Sequence, residues 1–514
     1  MNERLGDIEQ RVGESIDALT ARDAVARAFR VDHTVWQDDP TEVADRLGWL
    51  HSPAEMAEVV PELDAFAAKC HTDGLRHAVL MGMGGSSLFP EVMAQTFPVA
   101  DERLQLHVLD TTDPAAVRRV ATTCPPDETL FVAASKSGTT IETTSHLAFF
   151  WERIGRPEHF AVITDPGSQL GDLGRQRGFR AVFENRPDIG GRYSALSYFG
   201  LVPAALMGAD VAGLLRSAES MLHACGAHVA VRDNAAARLG AVMGAGVKAG
   251  RDKLTLVLPE AVETFGLWLE QLIAESTGKH GTGVVPIAGE PLGPPDVYGE
   301  DRVFVAFAGD PRLDLLAAAG HPVVVLDSPA GAGDALALGG EVVRWELATA
   351  MCGAVLGINP FDQPNVAEAK AATNAVLDKG LPTTATTPVA ALLEQVKPGD
   401  YIAIQAYVDP SDPVVAELER ARLALRDRLR VATTFGLGPR FLHSTGQLHK
   451  GGPATGVFLQ LVGRDESELP IPGAPYGFST LKRAQAAGDL ETLQKHGLRA
   501  GRVDVDDLLK EVSR

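Results

Sequence analysis

The chain has 514 residues, enough for two to four domains, and its 45% hydrophobic and 22% charged content suits a globular protein with a large core. With 47 Lys+Arg against 67 Asp+Glu the formal charge is -20, which argues against a nucleic-acid or anionic-membrane partner and requires any anionic ligand to be drawn in by a local cluster of donors. Cys70, Cys124, Cys225 and Cys352 are too dispersed for a metal-type pair or a disulfide framework and are expected as buried, reduced thiols in a cytoplasmic protein; no apolar run is long enough to direct export or span a membrane.

Residues 1–75 read as a helical preface, with apolar positions at helical spacing from Pro53 to Ala68. From His77 short apolar runs at His77–Met81, Leu104–Asp110, Thr129–Ser135, Phe160–Thr164 and Arg180–Phe183 alternate with Gly-rich turns and helix-length segments, the pattern of a mostly parallel sheet covered by helices. A helical stretch over Ser194–Gly250 leads to a second alternating block at Leu254–Leu258, Val303–Ala308 and Val323–Leu326. We therefore expect an α/β protein with two doubly wound units, over residues 76–228 and 229–380. The Thr/Pro-rich stretch Thr383–Pro388 suits an exposed connector, and residues 389–514 read as a further α/β segment with strands at Tyr401–Val408 and Val457–Val462 around a charged helix at Pro413–Arg430.

Within this frame several segments carry chemistry. Gly82-Met83-Gly84-Gly85-Ser86-Ser87 lies between a strand and helix-compatible sequence, where glycines let backbone approach a ligand; a tight structural turn explains it as well. Ser135-Lys136-Ser137-Gly138-Thr139-Thr140 occupies the same kind of junction. One hydroxyl would suffice to cap a helix, so four hydroxyls and an ammonium favour a phosphate-monoester cradle. At Gly190-Gly191-Arg192 an always-charged guanidinium precedes an apolar helix, where the helix dipole gives a cation no support. Gln271 and Glu275 share one face of a helix rich in apolar residues, so burial would raise the Glu275 carboxyl toward a range useful for proton transfer, although most helix carboxylates are solvated. Gln363 and Lys370 flank and occupy a helix that Pro364 suits at its first turn.

In order and chemistry these segments resemble the phosphoglucose isomerase family from about Gly82 to Lys370. The resemblance implies two sugar-isomerase (SIS) domains and interconversion of glucose 6-phosphate and fructose 6-phosphate through a cis-enediolate, in a homodimer without metal or redox cofactor. It places Gly85 and Ser86 at the sugar, Ser135, Lys136, Ser137 and Thr140 at the phosphate, Gly191 and Arg192 at the intermediate, Gln271 beside the base Glu275, and Gln363 and Lys370 on the last helix. A non-catalytic sugar-phosphate sensor, or an isomerase that also takes mannose 6-phosphate, would keep much of the same pattern.

The C-terminal stretch Gly438–Gly452 resembles the isomerase portion of bifunctional transaldolase/phosphoglucose isomerase proteins; the residues ahead of His77 leave no room for a complete barrel, so a single activity is expected. Two departures stand out. Ser87 occupies a position where many family members have Asp, and no Gly-Gln-His context lies between Glu275 and Lys370, where only His280 and His321 occur. Gly446-Gln447-Leu448-His449 looks like that piece displaced toward the C-terminus, so His449 is expected to open the sugar ring, with His443 as the alternative and a neighbouring subunit as one source of either.

Overall fold

A computed structural model describes residues 1–513. The apolar runs build three sheets. Strand β1 (Asn2–Arg4) comes first. The first sheet holds β2 (His77–Met81), β3 (Gln105–Leu109), β4 (Thr129–Ala134), β5 (Phe160–Thr164) and β6 (Ala181–Glu184), all parallel in the order β3-β2-β4-β5-β6. The second contains β7 (Lys253–Val257), β8 (Val285–Ile287), β9 (Arg302–Ala306) and β10 (Val323–Val325), in the order β1-β10-β9-β7-β8. The third is parallel, with β11 (Tyr401–Tyr407), β12 (Ala432–Leu437), β13 (Gly456–Val462) and β14 (Arg499–Arg502) in the order β12-β11-β13-β14.

This is the α/β architecture with mostly parallel sheets that the alternation predicts. The helical reading of residues 1–75 needs correction at its start, because β1 pairs antiparallel with β10 and joins the second sheet. Asn-Glu-Arg has no apolar periodicity, and an edge strand needs none because its main chain supplies the pairing. Residues Thr383–Pro388 are irregular and largely exposed, as expected of a connector. All four cysteines are buried and free. No helix among the described residues is long and apolar enough to cross a membrane.

A continuous apolar core ties the N-terminal helices to the first two sheets through the buried helices Tyr198–Met207, Val211–Ala224, Ala235–Lys248 and Leu338–Leu356. Tyr198–Met207, Ala235–Lys248 and Leu338–Leu356 are apolar around most of their circumference because they are covered on most sides, whereas Val211–Ala224 buries one face. The third sheet has its own core around Ile402, Ile404, Leu459 and Leu461. It docks on the first unit through the helix Phe478–Lys495, whose Phe478 and Leu481 join the cluster of Val79, Met81 and Phe131. That helix also holds Lys482, completely buried, whose Nζ lies 2.8 Å from Asp113 Oδ2 and 2.5 Å from Asp465 Oδ1. Removing the ammonium leaves two largely buried carboxylates unpaired, so Lys482→Met is expected to cost about 3–5 kcal/mol and to lower the urea midpoint measured by circular dichroism.

Candidate functional site

In an open parallel sheet the strand order reverses at one place, and loops leaving the carboxyl ends of the strands diverge there to leave a crevice. In the order β3-β2-β4 that place lies between β2 and β4, the strands that end in the glycine loop and the hydroxyl loop. Gly84 has φ +54°, and a Cβ on it would lie 2.7 Å from the His443 carbonyl oxygen and 2.8 Å from Gln271 Nε2. At Gly85 a Cβ would fall 1.9 Å from the Gly191 carbonyl oxygen. These glycines therefore permit the loops carrying Arg192 and His443 and the helix carrying Gln271 to meet over β2. Ser86, the next residue of the same turn, is buried.

In the hydroxyl loop Ser135 Oγ bonds Thr140 Oγ1 at 2.8 Å and accepts the Gly138 N–H, while Ser137 and Thr139 hydroxyls lie 3.1 Å apart. No side chain caps the helix Ile141–Ile154 that follows, so the hydroxyls are not spent on its orphan N–H groups. Lys136 forms an ion pair with Asp165 and donates to the Pro187 carbonyl at 3.0 Å, so its charge is already partly balanced. The loop thus gathers hydroxyls at a helix N-terminus, a favourable place for an anion.

The helix Phe265–Thr277 reaches the glycine loop through Gln271. Glu275 on it is only 7% exposed, and burial raises its carboxyl above the usual range despite the opposing Arg192 charge. Gln271 Nε2 donates to Glu275 Oε2 at 3.2 Å, and Gln271 Oε1 is buried without a hydrogen-bond partner. Arg192 Nη1 lies 3.3 Å from Glu275 Oε1 and donates to Gln363 Oε1 at the same distance. Its Nε donates to Ser276 Oγ and its Nη2 to the Pro360 and Asp362 carbonyl oxygens, fixing the guanidinium plane. A Cβ on Gly191 would meet nothing within 4 Å, so the main chain beside Arg192 borders open space.

A cavity of about 260 Å³ lies beside this group, lined by Thr139, Glu142, Lys370, His443 and Gln485 among others. His443 Nε2 bonds Glu142 Oε1 at 2.9 Å, Gln485 donates to the same oxygen at 2.6 Å, and the His443 carbonyl accepts from Gln271 Nε2 at 2.7 Å. Burial pushes the Glu142 carboxyl up, but the His443 ring, a backbone hydrogen bond and the nearby His146 together outweigh it and hold the carboxyl below its usual range. Lys370 is exposed at the cavity wall on the helix Val366–Lys379, which packs against the helix Phe478–Lys495 through Val376, Ala484 and Ala487.

His449, the expected ring-opening residue, is not in this group. Its Nδ1 lies 3.1 Å from Gln405 Nε2 and its ring packs among Tyr401, Phe441 and Phe458, lining a different cavity. Burial pushes it down to about 3, so it stays neutral at physiological pH and cannot donate a proton as an imidazolium. The physical reason is that its short helix, Gly446–Gly451, turns this side chain inward onto the third sheet, whereas His443 sits in the preceding turn facing Glu142. His443 and its partner come from the same chain.

Two further residues were not singled out from the sequence. Glu142 carries one weak signal, a carboxylate in the first turn of the helix after the hydroxyl loop. Lys279, fully buried, donates to the Asn359 and Asp362 carbonyl oxygens and to Asp362 Oδ1 at 2.6–2.8 Å. Burial and then the Arg192 charge bring its ammonium down to about 8. It ties the end of the Glu275 helix to the segment that leads to Lys370.

A family model described as phosphoglucose isomerase matches residues 11–290, more than half the chain, including both loops, Arg192, Gln271 and Glu275. The chain belongs to the phosphoglucose isomerase family. It is similar to the curated glucose-6-phosphate isomerases of Acaryochloris marina (33% identity, covering 44% of this chain and 46% of the relative) and of Synechococcus sp. strain JA-3-3Ab (35%, covering 45% and 48%). With these the matched stretch spans about half the relative's length. Similarity to the glucose-6-phosphate isomerase of Thermosynechococcus vestitus is longer, 26% identity over 74% of this chain and 82% of the relative. Among solved structures, the glucose-6-phosphate isomerase from Chlamydia trachomatis has a TM-score of 0.57 at 18% identity over 72% of this chain and 86% of that one. A hypothetical protein from Thermus thermophilus has a TM-score of 0.59 at 24% identity over 73% of this chain and 100% of that one. These two share the fold. The phosphoglucose isomerase match ends before Gln363, Lys370 and His443, so part of the site lies in sequence beyond it.

Proposed function

We propose that this chain is an aldose–ketose isomerase interconverting glucose 6-phosphate and fructose 6-phosphate through a cis-enediolate. The observation that carries the reading is the buried Glu275 carboxylate held between Arg192 and Gln271. Proton movement between adjacent carbons leaves no net oxidation for a cofactor to carry. It needs a base reachable from both carbons and a fixed positive group near their oxygens. Glu275 takes the first role and Arg192 the second. Ser135, Ser137, Thr140 and the helix N-terminus behind them hold the phosphate, with Lys136 adding charge, so that remote binding keeps the reacting carbons in register. Gly85, Ser86 and Gly191 border the sugar, and Gln363 steadies Arg192. His443, oriented by Glu142, exchanges a proton with the ring oxygen, assisted by Lys370.

The test is a coupled assay for glucose 6-phosphate formed from fructose 6-phosphate, with mannose 6-phosphate as a parallel substrate. Absence of turnover on both would replace this reading with that of a sugar-phosphate sensor. Ser135→Ala should raise KM about tenfold or more in the same assay with a smaller effect on kcat, because a hydrogen bond to a charged group contributes roughly 1.5–3 kcal/mol. We extend the family resemblance to a cytoplasmic homodimer, which light scattering of the purified protein and localisation of a tagged chain would check.

A further inference from the structure

Far from the isomerase site, His77, His107 and Cys124 bring one ligand atom each to within 4.8 Å of one another, the only such grouping of three His, Cys, Asp or Glu side chains among the described residues. His77 starts β2 and His107 lies in β3, where Val79 pairs with it; His77 and Val79 share one face of their strand, so the two imidazoles are diagonal neighbours on the same face. Cys124 follows the helix Pro114–Thr123 and joins Val79, Met81 and Leu109 in the core beneath them. From these positions we propose that His77, His107 and Cys124 form a binding site for a divalent zinc-type cation, with the fourth ligand supplied by solvent.

The distances suit that ion. His77 Nδ1 and His107 Nε2 are 3.1 Å apart, and two nitrogens on one tetrahedral Zn²⁺ are separated by about 3.3 Å. Cys124 Sγ lies within 4.8 Å of both ring nitrogens, and a sulfur and a nitrogen on one tetrahedral Zn²⁺ are about 3.5 Å apart, so completing the third bond asks for a shift of no more than about 1.3 Å at each separation. Two imidazoles and a thiolate are the donor set that borderline-soft d¹⁰ cations prefer over Mg²⁺ or Ca²⁺. Both histidines are half-buried and reach solvent, which gives an entry path, while Cys124 is buried behind them. Without metal the two rings share a hydrogen bond. Binding moves the proton of the donating ring to its other nitrogen, breaks the S–H bond and releases that single proton to solvent. The carboxyl end of β2, where the glycine loop begins, is on the order of 15 Å from His77, so the metal site does not depend on the isomerase assignment.

The test uses the full chain, stripped of metal by chelator and kept reduced. Titration with Co²⁺ should give one equivalent bound with a thiolate-to-cobalt charge-transfer absorption, and Zn²⁺ competed against a chromophoric chelator should show micromolar or tighter affinity. Cys124→Ser should abolish the charge-transfer band, and His77→Gln and His107→Gln should each weaken zinc binding by about tenfold or more. Absence of the band in the wild type, or its persistence in Cys124→Ser, overturns the proposal. Should the buried Cys124→Ser variant fold poorly by circular dichroism, the half-exposed His77→Gln variant carries the comparison, and unchanged zinc affinity there also overturns it.

Discussion

Glu275→Gln is expected to reduce kcat on fructose 6-phosphate about 1000-fold while KM changes by no more than a few-fold, as loss of a positioned general base does. The amide keeps the shape of the side chain; its oxygen can still accept from Arg192 while its NH2 turns toward Gln271, whose Oε1 lacks a partner, so binding largely survives while proton abstraction does not. The pH profile gives an independent reading. The base works only when ionised, and burial raises its pKa, so the acidic limb of kcat/KM should lie above the range of an ordinary carboxylate, with activity lost as pH falls through it. Arg192 opposes that rise, so Arg192→Met should move the limb to still higher pH while lowering the rate. Equal turnover by wild type and Glu275→Gln would remove Glu275 as the base.

His443→Ala is expected to lower turnover of the cyclic sugar by roughly 100-fold, at the lower end of what a general acid–base group contributes. Turnover of an analogue that cannot cyclise should fall far less. Glu142→Gln should shift the rate in the same direction, because the carboxylate orients the ring through the 2.9 Å contact. By contrast His449→Ala should keep turnover within a few-fold and lose thermal stability, since the side chain packs between aromatic rings. A large loss of turnover in His449→Ala with full activity in His443→Ala would reverse the assignment.

The strands that were legible in the sequence are those carrying continuous apolar, often β-branched runs. His77–Met81 and Phe160–Thr164 coincide with β2 and β5 residue for residue. Those that escaped lack that signal for separate reasons. Val-Pro-Ile in β8 is short and contains a proline, Ala-Thr-Thr-Phe-Gly-Leu in β12 mixes hydroxyls and a glycine, and Arg-Ala-Gly-Arg in β14 and Asn-Glu-Arg in β1 lie at sheet edges.

In the site, Arg192, Gln271 and Glu275 could be picked out because glycines or apolar neighbours made their polarity conspicuous. Choosing between His443 and His449 required knowing which way two consecutive turns face. That is fixed by long-range partners, Glu142 for one and Gln405 for the other, with Gln485 bracing Glu142 from behind. Local sequence carries no record of such partners. The same holds for Cys124, whose neighbours in space belong to strands that precede it.

The pairing of β1 with β10 has a consequence for how the molecule behaves among its own copies. On that flank β10 would otherwise present a row of unsatisfied N–H and C=O groups on the run Val323-Val324-Val325, an inviting template for another chain. Asn2, Glu3 and Arg4 occupy it instead, and Glu3 is locked by Arg238 at 2.5 Å. These three residues thus act as a built-in guard against edge-to-edge aggregation, and their polar character suits the outermost position they hold.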